Sequence, residues 1–175
     1  MLMEYYKLKE SELFSFFHFT ETGRRPQSRG MTEILLKPGG FQEFIDVSMK
    51  VDQREGVYEG VLLLDREWIG GPMTVNPFGK DLAKSFVEAV THPEDKDEAC
   101  AMVTTIWNVS GSRDQTIYLH EKNEKFEEQI EKLTNVYLGT EQCYTLELER
   151  CKIVIENIED VGRPRLRIMV SSLEK

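Results

Sequence analysis

The chain has 175 residues, of which 40% are hydrophobic and 30% charged, so it is long enough for one compact domain and too short for two of ordinary size. Its 31 acidic and 22 basic residues give a formal charge of −9, which opposes binding to nucleic acid. The sequence contains neither an apolar run of the roughly 20 residues that a membrane helix needs nor a signal peptide. We therefore expect a cytoplasmic protein that does not bind membranes.

The cysteine usage indicates the same location. Cys100, Cys143 and Cys151 are odd in number and have no C-x-x-C spacing. This usage is typical of reduced thiols in a reducing compartment, so we expect no disulfide framework.

Near its start the chain has an apolar segment, which is followed by a basic segment. The sequence SELFSFFHF, residues 11–19, predicts a short and mostly buried helix with Ser11 at its N-cap. The sequence TETGRRPQSRG, residues 20–30, contains two glycines, a proline and three arginines, and it predicts an exposed loop.

Three strand-like runs come next, at residues 31–37, 41–53 and 57–69, and turn residues separate them at lengths that suit hairpins. In the second run apolar and polar residues alternate, which predicts a strand with one face in solvent. The third run is apolar at both parities from Val61 to Leu64. This pattern predicts a central strand that is covered on both faces.

The stretch GGPMTVNPFGKD, residues 70–81, resembles a phosphate-binding loop because it contains a Gly-Lys pair. The spacing does not fit, since seven residues separate Gly71 from Gly79, and Asp81 stands where Ser or Thr would bind Mg²⁺. We interpret the stretch as a helix start, with Asn76 as the N-cap and Pro77 as the first helical residue. The helix is predicted to continue to residue 90, with one apolar face.

The middle of the chain is harder to assign. Residues 94–109 have an acidic beginning and β-branched later residues, which predicts a helix followed by a strand. We expect a loop at residues 110–114, a strand at 115–120 and a helix at 121–133.

The C-terminal 40 residues are rich in strand formers. We predict strands at residues 135–139, 143–160 and 163–172. Within the middle run the apolar residues change parity, so we expect a bulge or a tight turn near Glu149 and Arg150.

This order of elements predicts an α+β fold with a mainly antiparallel sheet of six to eight strands and three or four helices. We expect a single domain over residues 1–175. An alternative division gives two halves, 1–92 and 93–175, each a helix followed by a β-meander.

The sequence contains no motif that names a reaction. A G-x-S-x-G nucleophile motif is absent, and the sequence has no close pair of ligands such as H-x-x-x-H or C-x-x-C, so we predict neither a metal nor a cofactor. The catalytic residues, if the chain is an enzyme, are unknown, and the sequence does not decide that question.

Six arginines form two groups and are the candidate ligand-binding residues. Arginine presents a planar fork that suits carboxylates and phosphates, so the groups could hold an anionic ligand. For the second group, the alternative is cross-strand pairing with Glu147, Glu149 or Glu156. For the first group, the alternative is a solvated loop. The groups are Arg24, Arg25 and Arg29, and Arg163, Arg165 and Arg167.

Our leading functional hypothesis is a small acidic binding or adaptor protein that holds a protein partner or its own copy through the sheet and the apolar N-terminal segment. The alternative is an enzyme or small-molecule binder for an anionic phosphate or carboxylate ligand. We further predict a homodimer, because the final strand at residues 163–172 is expected to lie at a sheet edge.

Overall fold

The computed structural model describes residues 1–40, 43–71, 74–108 and 127–173. Within these ranges eight strands form one antiparallel sheet, and a separate pair of short strands lies apart from it. The predicted α+β class is therefore confirmed. The strands are β1 (Met3–Glu4), β2 (Thr20–Pro26), β3 (Thr32–Lys37), β4 (Ile45–Val51), β5 (Gly56–Asp65), β6 (Gly70–Gly71), β7 (Thr74–Val75), β8 (Cys143–Glu147), β9 (Cys151–Asp160) and β10 (Arg163–Ser172).

Five α-helices and three short 3-10 turns complete the described part of the chain. None of the described helices has both the length and the hydropathy that crossing a membrane requires. The helices are α1 (Tyr5–Leu8), α2 (Glu12–Ser15), α3 (Pro77–Val90), α4 (Lys96–Asn108) and α5 (Glu127–Leu138), and the 3-10 turns are Ser28–Gly30, Arg66–Trp68 and Pro93–Asp95.

The strand order in the sheet is β2-β3-β4-β5-β10-β9-β8, and β1 pairs with the start of β5. The predicted central position of the third strand-like run is confirmed, since β5 lies in the middle of this order. The predicted edge position of the final strand is wrong. The chain returns after its helices and inserts β10 between β5 and β9, so its amides are paired on both sides.

The described helices all pack against one face of the sheet. Alternate residues of the long strands point to that face and are buried, as Ile34, Val47, Leu62 and Ile168 show. The prediction that β5 is covered on both faces is wrong, because Val61 and its parity mates on the other face are only half-buried. A sheet face that no helix covers stays open to solvent. None of the described helices covers the second face of this sheet.

The start of α3 follows the sequence prediction. The side chain of Asn76 accepts a hydrogen bond from the Phe78 amide at 3.0 Å, and Pro77 is the first helical residue. Gly79 faces the 3-10 turn at residues 66–68, where a Cβ would overlap the carbonyl group of Trp68. The glycine of the Gly-Lys pair therefore permits close packing of the helix against the chain, and the stretch is a helix start.

Two N-terminal predictions need correction. The predicted helix at residues 11–19 ends at Ser15, because His18 adopts a left-handed φ of 54° and the amide of Phe19 bonds to the carbonyl of Leu13. The Ser11 hydroxyl donates to the carbonyl of Leu8 and does not cap the helix. Residues 20–26 of the predicted loop form β2, an exposed edge strand with a bulge.

Two later predictions also need correction. Residues 102–107, predicted as a strand, belong to α4, since packing of α4 against α3 outweighs the strand preference of β-branched residues. Residues 135–138 belong to α5, which buries Leu133 and Val136 and ends at Gly139, with φ of 79°. The loop and strand predicted at 110–120 lie outside the described residues, whereas the turn predicted near Glu149 is confirmed.

Candidate functional site

The face of the sheet opposite the helices is the candidate functional site, and we call it the open face. Alternate residues from five-residue segments of six strands point to it. In sheet order the segments are 33–37 in β3, 46–50 in β4, 59–63 in β5, 167–171 in β10, 152–156 in β9 and 143–147 in β8.

The strand registers align these residues into three rows that cross the sheet. The middle row, which we call the apolar row, is mostly half-buried and contains Leu35, Ser48, Val61, Met169, Val154 and Thr145. Row A contains Glu33, Lys50, Glu59, Ser171, Lys152 and Glu147. Row B contains Lys37, Asp46, Leu63, Arg167, Glu156 and Cys143.

The charged rows are neutralised by ion pairs within the face. In row A, Lys50 lies 2.6 Å from Glu59 and Lys152 lies 3.7 Å from Glu147. Row B contains the pairs Lys37 with Asp46 and Arg167 with Glu156. Such solvent-exposed pairs each contribute little to stability. Because the pairs run along the rows, they leave the apolar row uncovered.

A depression of about 370 Å³ lies on the open face above β2, β3, β4 and β5. Its lining includes apolar Leu35, Val61 and Leu63. It also includes basic and acidic side chains, which are Arg25, Lys37, Glu33 and Asp46. This volume is within the usual range of small-molecule sites, which combine an apolar lining with a few polar groups.

The structure separates the first arginine group. Arg24 donates to Glu21 and to Glu55, each at 2.7 Å, and its hydrogen bond holds the pKa of Glu21 below the usual range. Arg25 borders the depression and, within the described part of the chain, makes no ion pair. Arg29 is exposed in the 3-10 turn after β2.

Arg165, from the second group, is buried among acceptors. Its guanidinium lies 2.6 Å from Asp46 and 2.6 Å from Asp160, and it also donates to the carbonyls of Phe44 and Leu63. Its side chain is 5% exposed, whereas both carboxylates are about one third exposed. Arg165 therefore joins β10, β9 and β4 at one end of the sheet.

The other two arginines of the second group are also paired with carboxylates. Arg163 lies 2.7 Å from Asp65 and stacks 3.7 Å from the ring centroid of Phe44. Arg167 donates through Nε to Glu156 at 2.6 Å, which is the cross-strand pair considered from the sequence. The residues that line the depression include Arg25 and none of this second group, so the two groups do not meet there.

The N-terminal apolar segment contributes mainly to the core. Leu13, Phe17 and Phe19 are buried, while Phe16 is 69% exposed and packs edge-on against Phe17. The segment therefore adds one exposed aromatic ring to the surface on the helical side of the sheet.

The thiols differ in their surroundings. Cys143 is exposed in row B, whereas burial raises the pKa of Cys100 to about 11 and that of Cys151 to about 12. A hydrogen bond to Asp95 also raises the pKa of Cys151. Among the described residues, no three His, Cys, Asp or Glu side chains lie close enough to hold a metal ion.

The apolar row is not contiguous in sequence. Its members Leu35, Val61, Val154 and Met169 come from four strands, and sheet pairing alone brings them together. The available signal was an apolar residue among the solvent-facing positions of four strands, with a charged residue two positions away on one side or on both.

No protein-family model, no curated protein and no solved structure matches the chain.

Proposed function

We propose that the chain is a binding protein that holds a protein partner, or its own copy, on the open face of its sheet. The observation that carries the proposal is the half-buried apolar row between two charged rows, which no described helix covers. An exposed apolar strip with a polar rim is the usual anatomy of a protein interface.

The neutralised charges support a protein partner over a strongly charged polymer. The positive and negative charges of rows A and B nearly cancel within the ion pairs, so this face does not attract a polyanion. Its charges can instead set the register and the choice of partner. A cytoplasmic location is part of the proposal, and the three free cysteines support it.

Affinity capture with matched Val→Lys variants tests this function. Val61 lies in the middle of the apolar row, and a lysine there can extend its ammonium group into solvent. Val161 is 94% exposed in the turn between β9 and β10, so Val161→Lys is the control. We expect a partner that the wild type and Val161→Lys retain and that Val61→Lys loses. A partner that Val61→Lys also retains would contradict binding on the open face.

A second candidate function is the binding of a small anionic ligand that has an apolar body. The specific observation is Arg25, which lacks an ion pair in the described part of the chain and lines a depression that also contains Leu35 and Val61. An anionic group would contact the guanidinium while the apolar body lies against Leu35 and Val61. The residues that line this depression do not include Arg163, Arg165 or Arg167.

A thermal-shift screen with nucleotides, phosphosugars and dicarboxylates tests the second candidate. A ligand at 100 times its dissociation constant adds about 2.7 kcal/mol to the free energy of unfolding. We expect Arg25→Gln to abolish the shift and Arg54→Gln, at an exposed turn, to keep it. An equal shift in both variants would exclude Arg25 as the anchor.

A further inference from the structure

We propose that a second copy of this chain occupies the open face, related to the first by a two-fold axis that runs along the apolar row. The inference rests on the proposed binding function and names the partner. In this arrangement the two sheets stack face to face, and each residue of the apolar row contacts the same residue of the other copy.

The pattern of charges along each strand carries the inference. On β3 the charges on the two sides of the apolar row are Glu33 and Lys37, and on β4 they are Lys50 and Asp46. On β9 they are Lys152 and Glu156. In all three strands the two signs are opposite.

A two-fold axis along the apolar row exchanges row A with row B and keeps the strand order. Glu33 of one copy then faces Lys37 of the other, and Lys50 faces Asp46. On β9, Lys152 faces Glu156. Every strand that has two charges therefore meets opposite charges in the second copy, which favours this contact and fixes its register.

The other face-to-face arrangement that keeps the strands of the two copies aligned is repulsive. An axis parallel to the strands, between β5 and β10, exchanges β3 with β8 and β4 with β9. It places like charges over one another at three positions, which are Glu33 on Glu147, Lys50 on Lys152 and Asp46 on Glu156. The same charges thus select one orientation and oppose the other.

The dimensions of the face suit a weak dimer. Six strands about 4.8 Å apart, with five residues of about 3.3 Å each, give a patch of about 29 by 17 Å. The two copies together would bury about 1,000 Å², near the lower limit for specific interfaces. We therefore expect association at micromolar rather than nanomolar concentrations.

Light scattering over a range of protein concentrations tests the association. We expect the mass of the wild type and of Val161→Lys to rise from that of one chain toward that of two. Val61→Lys places two ammonium groups against each other on the axis, so it should stay a monomer with an unchanged circular dichroism spectrum. A wild type that is monomeric at all concentrations, or a dimer that survives Val61→Lys, would overturn the inference.

Cysteine cross-linking tests the orientation, in a background with Cys143→Ser to remove the exposed native thiol. Ser48 lies on the axis, so Ser48→Cys faces its own copy and a short bismaleimide should join the two chains. Lys50→Cys faces Asp46, so it should join far more slowly. Equal yields from the two variants would contradict this axis.

These experiments separate the inference from the proposed function. A chain that stays monomeric but captures a different protein through Val61 retains the proposed function and refutes self-association. A dimer that Val61→Lys abolishes, without a captured partner, supports both the open face and the second copy as its occupant.

Discussion

The substitution Gly79→Ala tests the explanation of the Gly-Lys pair as a packing feature. A Cβ on Gly79 would lie 2.7 Å from the carbonyl carbon of Trp68 and would overlap its oxygen. Because nonbonded heavy atoms pack at about 3.5 Å, the first turn of α3 would have to move by roughly 1 Å or more. Helix propensity acts in the opposite direction, since alanine is favoured over glycine by at most about 1 kcal/mol.

Steric overlap should outweigh propensity at this position. Overpacking a buried site costs about 1–3 kcal/mol. The displacement also strains the Asn76 cap, worth about 1 kcal/mol, and the contact of Phe78 with Trp68, whose ring centroids are 5.2 Å apart. We expect a net loss of about 3 kcal/mol in the free energy of unfolding. For a chain of this length that lowers Tm by roughly 6–12 °C.

Thermal unfolding followed by circular dichroism measures this loss, with Gly23→Ala as the control. A Cβ on Gly23 has nothing within 4 Å, so its Tm should match the wild type. If Gly79→Ala has the Tm of the wild type or a higher one, α3 does not pack against Trp68 as described and the packing explanation fails.

Three further predictions concern the sheet and the thiols. Arg165→Met should lower the free energy of unfolding by about 2–3 kcal/mol in urea titrations, because it removes a buried donor from two carboxylates and two carbonyls, although Asp46 keeps its pair with Lys37 and water reaches part of both carboxylates. Arg167→Met, which removes a partly exposed pair, should cost less than about 1 kcal/mol, and equal losses would refute the distinction. Ile168→Lys should abolish the cooperative unfolding transition because Ile168 is fully buried, whereas Met169→Lys on the open face should keep it. In native protein at pH 8, maleimide should modify Cys143 quickly and Cys100 and Cys151 slowly, because pKa values of about 11 and 12 leave few thiolates. The rates at Cys100 and Cys151 should rise with pH, and mass spectrometry showing equal rates at all three cysteines would contradict the raised pKa values of these two thiols.

Local patterns predicted most of the strands and the helix start at Asn76. Alternation in β4 and the turn between β8 and β9 depend on neighbours in sequence, so the sequence alone indicates them. Local sequence patterns did not predict how far α4 and α5 extend. Their β-branched and aromatic residues favour strand locally, and tertiary packing decides otherwise.

The candidate site was less predictable because it depends on strand order. The position of β10 between β5 and β9 follows from a return of the chain over about 100 residues, which short-range patterns do not encode. That insertion places Met169 beside Val61 and Val154, and it pairs Arg165 with Asp46 across the sheet. For the second arginine group the sequence allowed either a binding group or cross-strand ion pairs, and in the structure all three arginines lie against carboxylates.

Lysine acetylation at low and high protein concentration, read by mass spectrometry, tests most directly that a second copy of the chain binds the open face. Lys37, Lys50 and Lys152 lie on this face, whereas Lys9 and Lys84 lie exposed elsewhere. We predict that acetylation of the first three slows as concentration rises and that the other two keep constant rates. Unchanged rates at all five lysines, or slowing at Lys9 and Lys84 alone, would contradict the assignment.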